Sequence, residues 1–121
     1  MTWQFNGDKP IYQQIMTYIK LKIISGVYKP GDKLPTVREL ANDAAVNPNT
    51  MQKALTELER ENLVFSVRTT GRYITKEKDI INNVKKSMAE GEIRKFIKTM
   101  KSIGLSKEDI RILVSDMLKE M

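Results

Sequence analysis

The chain has 121 residues, with 21 Lys or Arg, 15 Asp or Glu and a formal net charge of +6. It contains neither cysteine nor histidine, which excludes disulfides, thiol catalysis and cysteine-ligated metals and removes the usual general base. The charge favours a polyanionic partner. No apolar run approaches the roughly 20 residues that span a bilayer, so we expect a cytoplasmic protein without a membrane segment.

The N-terminal stretch predicts an extended arm followed by a helix. Trp3 and Phe5 alternate, so in an extended segment both side chains would point the same way, against the body of the protein. A helix is predicted from Pro10, because isoleucines recur at every fourth position and give it one apolar face. Gly26 is placed to end this helix in a left-handed cap.

The stretch from Thr36 to Leu63 predicts two helices joined by a tight turn. Thr36 and Glu39, three residues apart, form a capping-box pattern at the start of the first helix. Asn47, followed by a proline, is a favourable cap for the second helix. Only two residues lie between the helices, so the helices must cross sharply, as in a helix-turn-helix.

The second of these helices carries its polar residues on the face opposite to its apolar residues. Asn49, Gln52 and Lys53 occupy the first two turns of the polar face. Asn and Gln can pair bidentately with adenine, and Lys can reach guanine acceptors or phosphate. The first turns of a recognition helix are the ones that meet base edges. We therefore predict a helix that reads double-stranded DNA; the alternative is a helical hairpin with a solvated polar face.

A β-hairpin is predicted directly after the second helix. Aromatic and β-branched residues flank a short turn that contains Gly71, where a positive φ is expected. A hairpin in this place is a wing. Arg68 and Arg72 bracket its tip, where they would reach phosphates or a minor groove. The alternative is a pair of solvated arginines on a surface hairpin.

Residues 76–121 predict two more amphipathic helices, the second capped by Ser106 and Asp109. Two such helices cannot enclose a core by themselves, so their apolar stripes must meet either the first 75 residues or another copy of the chain. We predict a dimerisation domain, since a two-fold protein can read a two-fold operator. The positions assigned to the dimer interface are Ile80, Ile81, Val84, Ile93, Phe96, Ile97, Met100, Ile110, Leu113, Val114, Met117 and Leu118.

Three segments of the chain resemble the GntR family of bacterial transcription regulators, in the family's order and spacing. They are PIYQQI (10–15), GVYKPGDKLPTVRELA (26–41) and VNPNTMQKALTELE (46–59). The VNPNT turn and the short tail resemble the YtrA-like subfamily in particular. The resemblance implies a mainly α fold with a small β-hairpin: a winged helix-turn-helix, which we assign to residues 1–75, and a short helical dimerisation tail.

The resemblance also implies particular DNA contacts. Arg38 would meet the DNA backbone or a base, Asn47, Asn49 and Thr50 match the start of the recognition helix, and Gly71 matches the wing glycine. Many relatives have arginine at positions 48 and 52, so their guanine contacts are not carried over to this chain. The family's wing commonly has glycine where this chain has Thr69, so the depth to which the wing tip enters a groove is not carried over either. The full predicted DNA-binding set is Thr36, Arg38, Asn47, Asn49, Thr50, Gln52, Lys53, Arg68, Gly71 and Arg72.

Together these patterns predict a sequence-specific DNA-binding transcriptional regulator, a repressor that binds an inverted-repeat operator as a homodimer. The alternative is a winged-helix module that binds protein instead of specific DNA. An enzyme would need a convergent set of nucleophile, base or metal ligands. The sequence has no such motif, so no catalytic residue, cofactor or metal site is predicted. The sequence gives no sign of whether a small-molecule effector exists.

Overall fold

The computed structural model describes residues 3–121 and divides the chain into two compact units. The N-terminal unit ends at Val84, and the C-terminal unit spans Lys85–Met121. The elements are α1 (Ile11–Ile24), α2 (Val37–Ala44), α3 (Pro48–Arg60), β1 (Val64–Val67), β2 (Gly71–Ile74), α4 (Lys78–Ser102) and α5 (Lys107–Lys119). Helix α4 begins in the N-terminal unit and ends in the C-terminal unit.

Helix α1 buries the predicted isoleucine stripe. Ile15, Ile19 and Ile23 lie on its inner face, against α3. Pro10 precedes the first turn, where a missing N–H is no loss. Gly26 follows the helix with a φ of +85°, which confirms the predicted left-handed residue at its end.

Helix α3 is the centre of the N-terminal unit, because it contacts α1, α2 and β1. Its apolar face is completely buried and consists of Met51, Ala54, Leu55 and Leu58. Burying a side chain of leucine size contributes roughly 1.5–3 kcal/mol relative to leaving it exposed. This packing fixes the rotation of α3, so its opposite face is held toward solvent.

The β1–β2 hairpin is the predicted wing, and we call it the wing below. Val64 pairs with Ile74 at its base and Val67 with Gly71 near its tip. The chain before α2 lies along its outer edge: the Leu34 N–H donates to the Arg72 carbonyl at 2.8 Å. The sequence did not predict this edge pairing, since the prolines and glycine of that segment indicated only a loop.

The N-terminal arm lies against the unit as predicted. The Trp3 and Phe5 rings pack on Tyr18 of α1, at centroid distances of 5.1 and 5.8 Å. The Trp3 indole N–H donates to the Asp43 carboxylate on α2 at 2.7 Å. The arm therefore connects α1 to α2.

The N-terminal unit extends beyond the boundary predicted at residue 75. Ile80, Ile81 and Val84 of α4 are half-buried and pack against its core. Within one chain these three residues pack with the winged unit, and their assignment to a dimer interface stays a prediction. The physical reason is that apolar side chains are favourably buried against any apolar surface within reach, and the core cluster of the N-terminal unit is such a surface.

The C-terminal unit contains the rest of α4 and all of α5. Helix α4 continues unbroken through Gly91. Gly104, with a φ of +93°, follows its end. Ser106 and Asp109 form the predicted capping box at the start of α5, with reciprocal hydrogen bonds of 3.1 and 3.0 Å. None of the helices within residues 3–121 has the length and apolar character that crossing a membrane would need.

Candidate nucleic-acid interface

The turn between α2 and α3 presents the N-terminus of α3. Ala45 adopts a left-handed conformation with a φ of 56°, and the Val46 N–H donates to the Ala41 carbonyl at 3.0 Å. The Asn47 side-chain oxygen accepts from the Asn49 backbone N–H at 2.8 Å. Asn47 is therefore the cap that starts α3, and the two helices form a helix-turn-helix.

The face of α3 opposite the core is polar and exposed. Asn49, Gln52 and Lys53 all lie on it. The Lys53 ammonium lies 4.0 Å from the centroid of the Tyr12 ring, a cation–π contact that holds this lysine toward α1. Gln52 Nε2 lies 3.5 Å from Thr56 Oγ1 in the next turn. The two amide side chains thus occupy the exposed N-terminal half of the helix, and Lys53 lies at its α1 side.

Two other predicted residues lie at the starts of α2 and α3. The Thr36 hydroxyl accepts from the Glu39 N–H at 3.1 Å and donates to the Glu39 carboxylate at 3.0 Å, so Thr36 caps α2. The capping box predicted there is therefore half formed, because the carboxylate takes the hydroxyl proton instead of reaching the Thr36 N–H. Thr50, in the first turn of α3, is half-buried.

An open groove of about 510 Å³ separates the wing from the start of α2. Lys33 and Arg38 are exposed along it, and Arg68 is exposed at the wing tip. Helix N-termini carry unpaired N–H groups and a partial positive charge. The groove therefore combines basic side chains with the positive end of α2, a combination suited to phosphate oxygens.

Gly71 is the first residue of β2 and has a φ of +127°. A Cβ at this position would lie 3.1 Å from Lys33 Cε, so the lysine stem crosses directly over the glycine backbone. The predicted positive φ is confirmed, although Gly71 pairs with Val67 and does not lie inside the turn. Within the turn, Thr69 adopts a φ of 69°, the left-handed region that favours glycine.

Arg72 lies in a different environment from the one predicted. Its Nε donates to Glu59 Oε1 at 2.6 Å, and its side chain is 20% exposed. Burial alone would raise the pKa of Glu59, but hydrogen bonds from Ser66 and Arg72, together with the Arg72 charge, lower that pKa below its ordinary value. Arg72 is therefore bound to α3, whereas Arg68 remains exposed at the tip.

Two residues of this surface were missed from the sequence. Lys33 was missed because its segment was interpreted as a loop; a single Lys–Leu pair among prolines and a glycine is too short to indicate a strand. Glu59 was missed because an acidic residue near the end of a helix indicates only a solvated face. Its contact with Arg72 depends on the tertiary arrangement, for which the sequence carries no local signal.

The residues assigned to a dimer interface divide by environment. The half-buried ones in the C-terminal unit are Ile97, Met100 and Val114, and Ile110 is 9% exposed. Those that remain largely exposed are Ile93, Phe96, Leu113, Met117 and Leu118. Ile103 and Ile112, which were not assigned, are 66% and 51% exposed. The C-terminal unit thus leaves a set of large apolar side chains uncovered.

Comparison with known proteins identifies the class of this surface. The family model described as bacterial regulatory proteins, gntR family, matches residues 11–74, from α1 to the end of β2. The chain belongs to the GntR family. It is a GntR-family transcriptional regulator with a winged helix-turn-helix, as the sequence resemblance implied.

Its relatives place this GntR regulator in the YtrA-like subfamily. It is 42% identical over 97 residues to the HTH-type transcriptional repressor YtrA of Bacillus subtilis, covering 80% of this chain and 70% of that protein. A GntR family transcriptional regulator from Listeria monocytogenes is 42% identical, with a TM-score of 0.84 over 93% of this chain and 98% of the other. The AraR DNA-binding domain, solved in complex with operator ORX1, is 28% identical, with a TM-score of 0.57 over 62% of this chain and 99% of that domain.

Proposed function

We propose that this GntR regulator is a repressor that binds an inverted-repeat operator as a homodimer. The observation that carries the proposal is an exposed amide face on α3 in the same unit as a basic groove between the wing and the start of α2. Such a surface suits a helix in the major groove, with phosphate contacts on the flank. The similarity to a repressor and to an operator-bound domain supports the same proposal.

Within this surface the residues divide into two roles. Asn49 and Gln52 are exposed in the first two turns of α3, and we assign them to base edges, where their amides can pair bidentately with adenine. Lys33, Arg38 and Arg68 surround the groove and wing tip, and we assign them to phosphates. Thr36 and Asn47 act through the helix starts that they cap.

The homodimer follows from the exposed apolar residues of the C-terminal unit. A second copy that covers them would bury their surface and would bring two winged units to one DNA duplex. The second winged unit would then bind at an effective concentration set by the linkage, on the order of millimolar for short linkers. The preferred site should be an inverted repeat with half-site centres about one or two helical turns apart.

The proposal is tested by selecting bound sequences from random duplex DNA and then measuring operator affinity against salt. We expect Asn49→Ala and Gln52→Ala each to reduce discrimination by roughly 1–3 kcal/mol at the bases they meet. Arg38→Gln should instead weaken binding to all sequences and reduce the salt slope by about one. Asn83→Ala, an exposed helical asparagine on α4, is the matched control and should change neither quantity.

Two results would contradict the proposal. Binding that shows no salt dependence and selects no sequence would favour the alternative, a winged helix that binds a protein partner. An unchanged preferred operator in both α3 variants would remove the assignment of base reading to Asn49 and Gln52.

A further inference from the structure

One carboxylate in the last turn of α3 receives hydrogen bonds from both strands of the wing. Ser66 Oγ donates to Glu59 Oε1 at 2.6 Å, and Arg72 Nε donates to the same oxygen at 2.6 Å. Ser66 and Arg72 are directly opposite each other in the β1–β2 register. Glu59 therefore connects the recognition helix to the two strands at one level of the hairpin.

This level is where the wing leaves the core. The cross-strand pair at the base, Val64 and Ile74, is buried, whereas the residues farther out, from Val67 to Gly71, are exposed. Ser66 and Arg72 lie between these two regions. The contact with Glu59 is thus the last attachment of the hairpin to α3 before the tip projects into solvent.

The position of Glu59 is electrostatically unfavourable unless it is compensated. A carboxylate in the last turn of a helix faces the negative end of the macrodipole, and its side chain is only 29% exposed. The ion pair with Arg72 and the Ser66 hydroxyl provide that compensation at short, charge-assisted distances. By contrast, the Arg60–Glu57 pair on the same helix involves an arginine that is 73% exposed, and such exposed pairs contribute little.

We propose that Glu59 is a positioning residue that fixes the wing relative to the recognition helix, and that Arg72 acts on DNA through Glu59 and not by contacting phosphate. The inference rests on the proposed function and adds a specificity-determining contact to it. It reverses the role that the sequence suggested for Arg72. A wing held at one angle keeps Arg68 and the basic groove in a fixed position relative to the base-reading face of α3. The wing therefore does not have to lose conformational freedom when DNA binds.

The direction in which Glu59→Gln changes operator affinity distinguishes a positioning role from a simple effect of charge. Glu59→Gln removes a negative charge close to the DNA-binding surface, so electrostatics alone would strengthen binding to a polyanion. Positioning predicts the opposite: operator affinity falls about tenfold, since a hydrogen bond to a charged group is on the order of the 1.4 kcal/mol that corresponds to a factor of ten. Glu57→Gln removes the same charge from the same helix without touching the wing, and it should leave affinity unchanged or slightly raised.

Arg72→Lys provides the second discriminating variant. It keeps the positive charge, so a phosphate contact would survive it, but it removes the Nε donor that binds Glu59. We expect Arg72→Lys to weaken operator binding as much as Glu59→Gln and to leave the salt slope unchanged. The double variant should be no weaker than either single variant, because both remove the same coupling.

The measurements are operator affinity and salt slope for the full-length wild type and the four variants, with circular dichroism to verify folding. Ser66→Ala, which removes one exposed hydroxyl, keeps the test decisive if Glu59→Gln fails to fold, and it should weaken binding in the same direction. Equal or tighter binding by Glu59→Gln or by Ser66→Ala overturns this inference alone, while the wild type still selects its operator. A wild type that selects no sequence overturns the proposed function and this inference with it.

Discussion

The two units of this protein treat their apolar residues in opposite ways. The N-terminal unit encloses most of its leucines: Leu55 is 1% exposed and Leu58 is fully buried. In the C-terminal unit Ile110 alone is buried, and Leu118 is 61% exposed. Helices with similar amphipathic patterns therefore have different outcomes, because α3 packs against α1, α2 and β1, whereas the C-terminal unit contains only the rest of α4 and α5.

This difference explains why the N-terminal unit has a defined polar surface, whereas the C-terminal unit leaves apolar side chains uncovered. A closed core fixes the rotation of α3, and that rotation determines which of its side chains face solvent. The C-terminal pair of helices has too few elements to close a core. We infer that a second copy of the chain covers its exposed apolar side chains, so that these side chains would be buried only in the dimer.

The largest expected effect comes from comparing two Leu→Ala substitutions. Leu55→Ala leaves a cavity in the closed core and should lower the free energy of unfolding by about 2–5 kcal/mol. Leu118→Ala should leave the winged unit's stability unchanged and should weaken self-association by roughly 1.5–3 kcal/mol for each leucine buried in the dimer. Urea unfolding at several protein concentrations and sedimentation equilibrium measure these two quantities.

Two results would contradict the proposed dimer or the position of its interface. If wild-type protein remains monomeric at micromolar concentration, the proposed dimer is wrong. If Leu118→Ala sediments like wild type while wild type dimerises, the interface lies elsewhere on the C-terminal unit.

A smaller effect distinguishes two glycines, one in each unit. Gly71 has a φ of +127° and lies under Lys33, so Gly71→Ala should destabilise the wing by about 1–3 kcal/mol and weaken operator binding. Gly91 lies inside α4, and a Cβ added there would meet no atom within 4 Å, so Gly91→Ala should stabilise that helix by about 1 kcal/mol. Thermal unfolding and operator titration measure the stability and the operator affinity of both variants. Equal changes in the two variants would show that the positive φ of Gly71 does not cause the loss expected for Gly71→Ala.

The sequence predicted the elements well where local chemistry determines them. Asparagine at position 47 and proline at position 48 specify the start of α3, and the serine–aspartate cap specifies the start of α5. The four-residue isoleucine spacing specifies the buried face of α1. The environments of Arg72 and of the first turn of α4 were not predictable in this way. Both depend on which elements meet in three dimensions, and neither an arginine near a turn nor an isoleucine in a helical stripe identifies its partner.

The strand pairing at the edge of the wing was likewise not predictable from local sequence. Lys33 pairs with Tyr73 across an isolated bridge, in a segment whose prolines and glycine indicate a loop. Side chains at the start of α3 were easier to place, because the apolar positions of one face determine the opposite one. Thus the base-reading candidates could be named from the sequence, whereas the residues that connect the wing to the helices required the fold.

The smallest effect compares a carboxylate in each unit, Glu59 and Asp109. The pKa of Asp109 is lowered by hydrogen bonds from Ser106, first from its backbone N–H and then from its side chain, at a fully exposed cap. The pKa of Glu59 is lowered although burial alone would raise it, because of Ser66 and Arg72. A carboxylate whose pKa is lower in the folded state stabilises the fold above its ordinary pKa, and this contribution is lost as pH falls through the lowered value.

The expected pH dependence follows from that sign. At pH 7 Glu59→Gln should be less stable than wild type, and the two free energies of unfolding should converge as the pH falls below 4.5, the ordinary glutamate value. Asp109→Asn should show a smaller difference that closes below 3.8, the ordinary aspartate value, because its cap is exposed to solvent. Urea unfolding of the three proteins from pH 7 to about pH 3, across both reference values, measures this. Parallel curves for wild type and Glu59→Gln would mean that the connection between α3 and the wing is too weak to stabilise the fold, whereas convergence in the expected range would attribute part of the winged unit's stability to this one carboxylate.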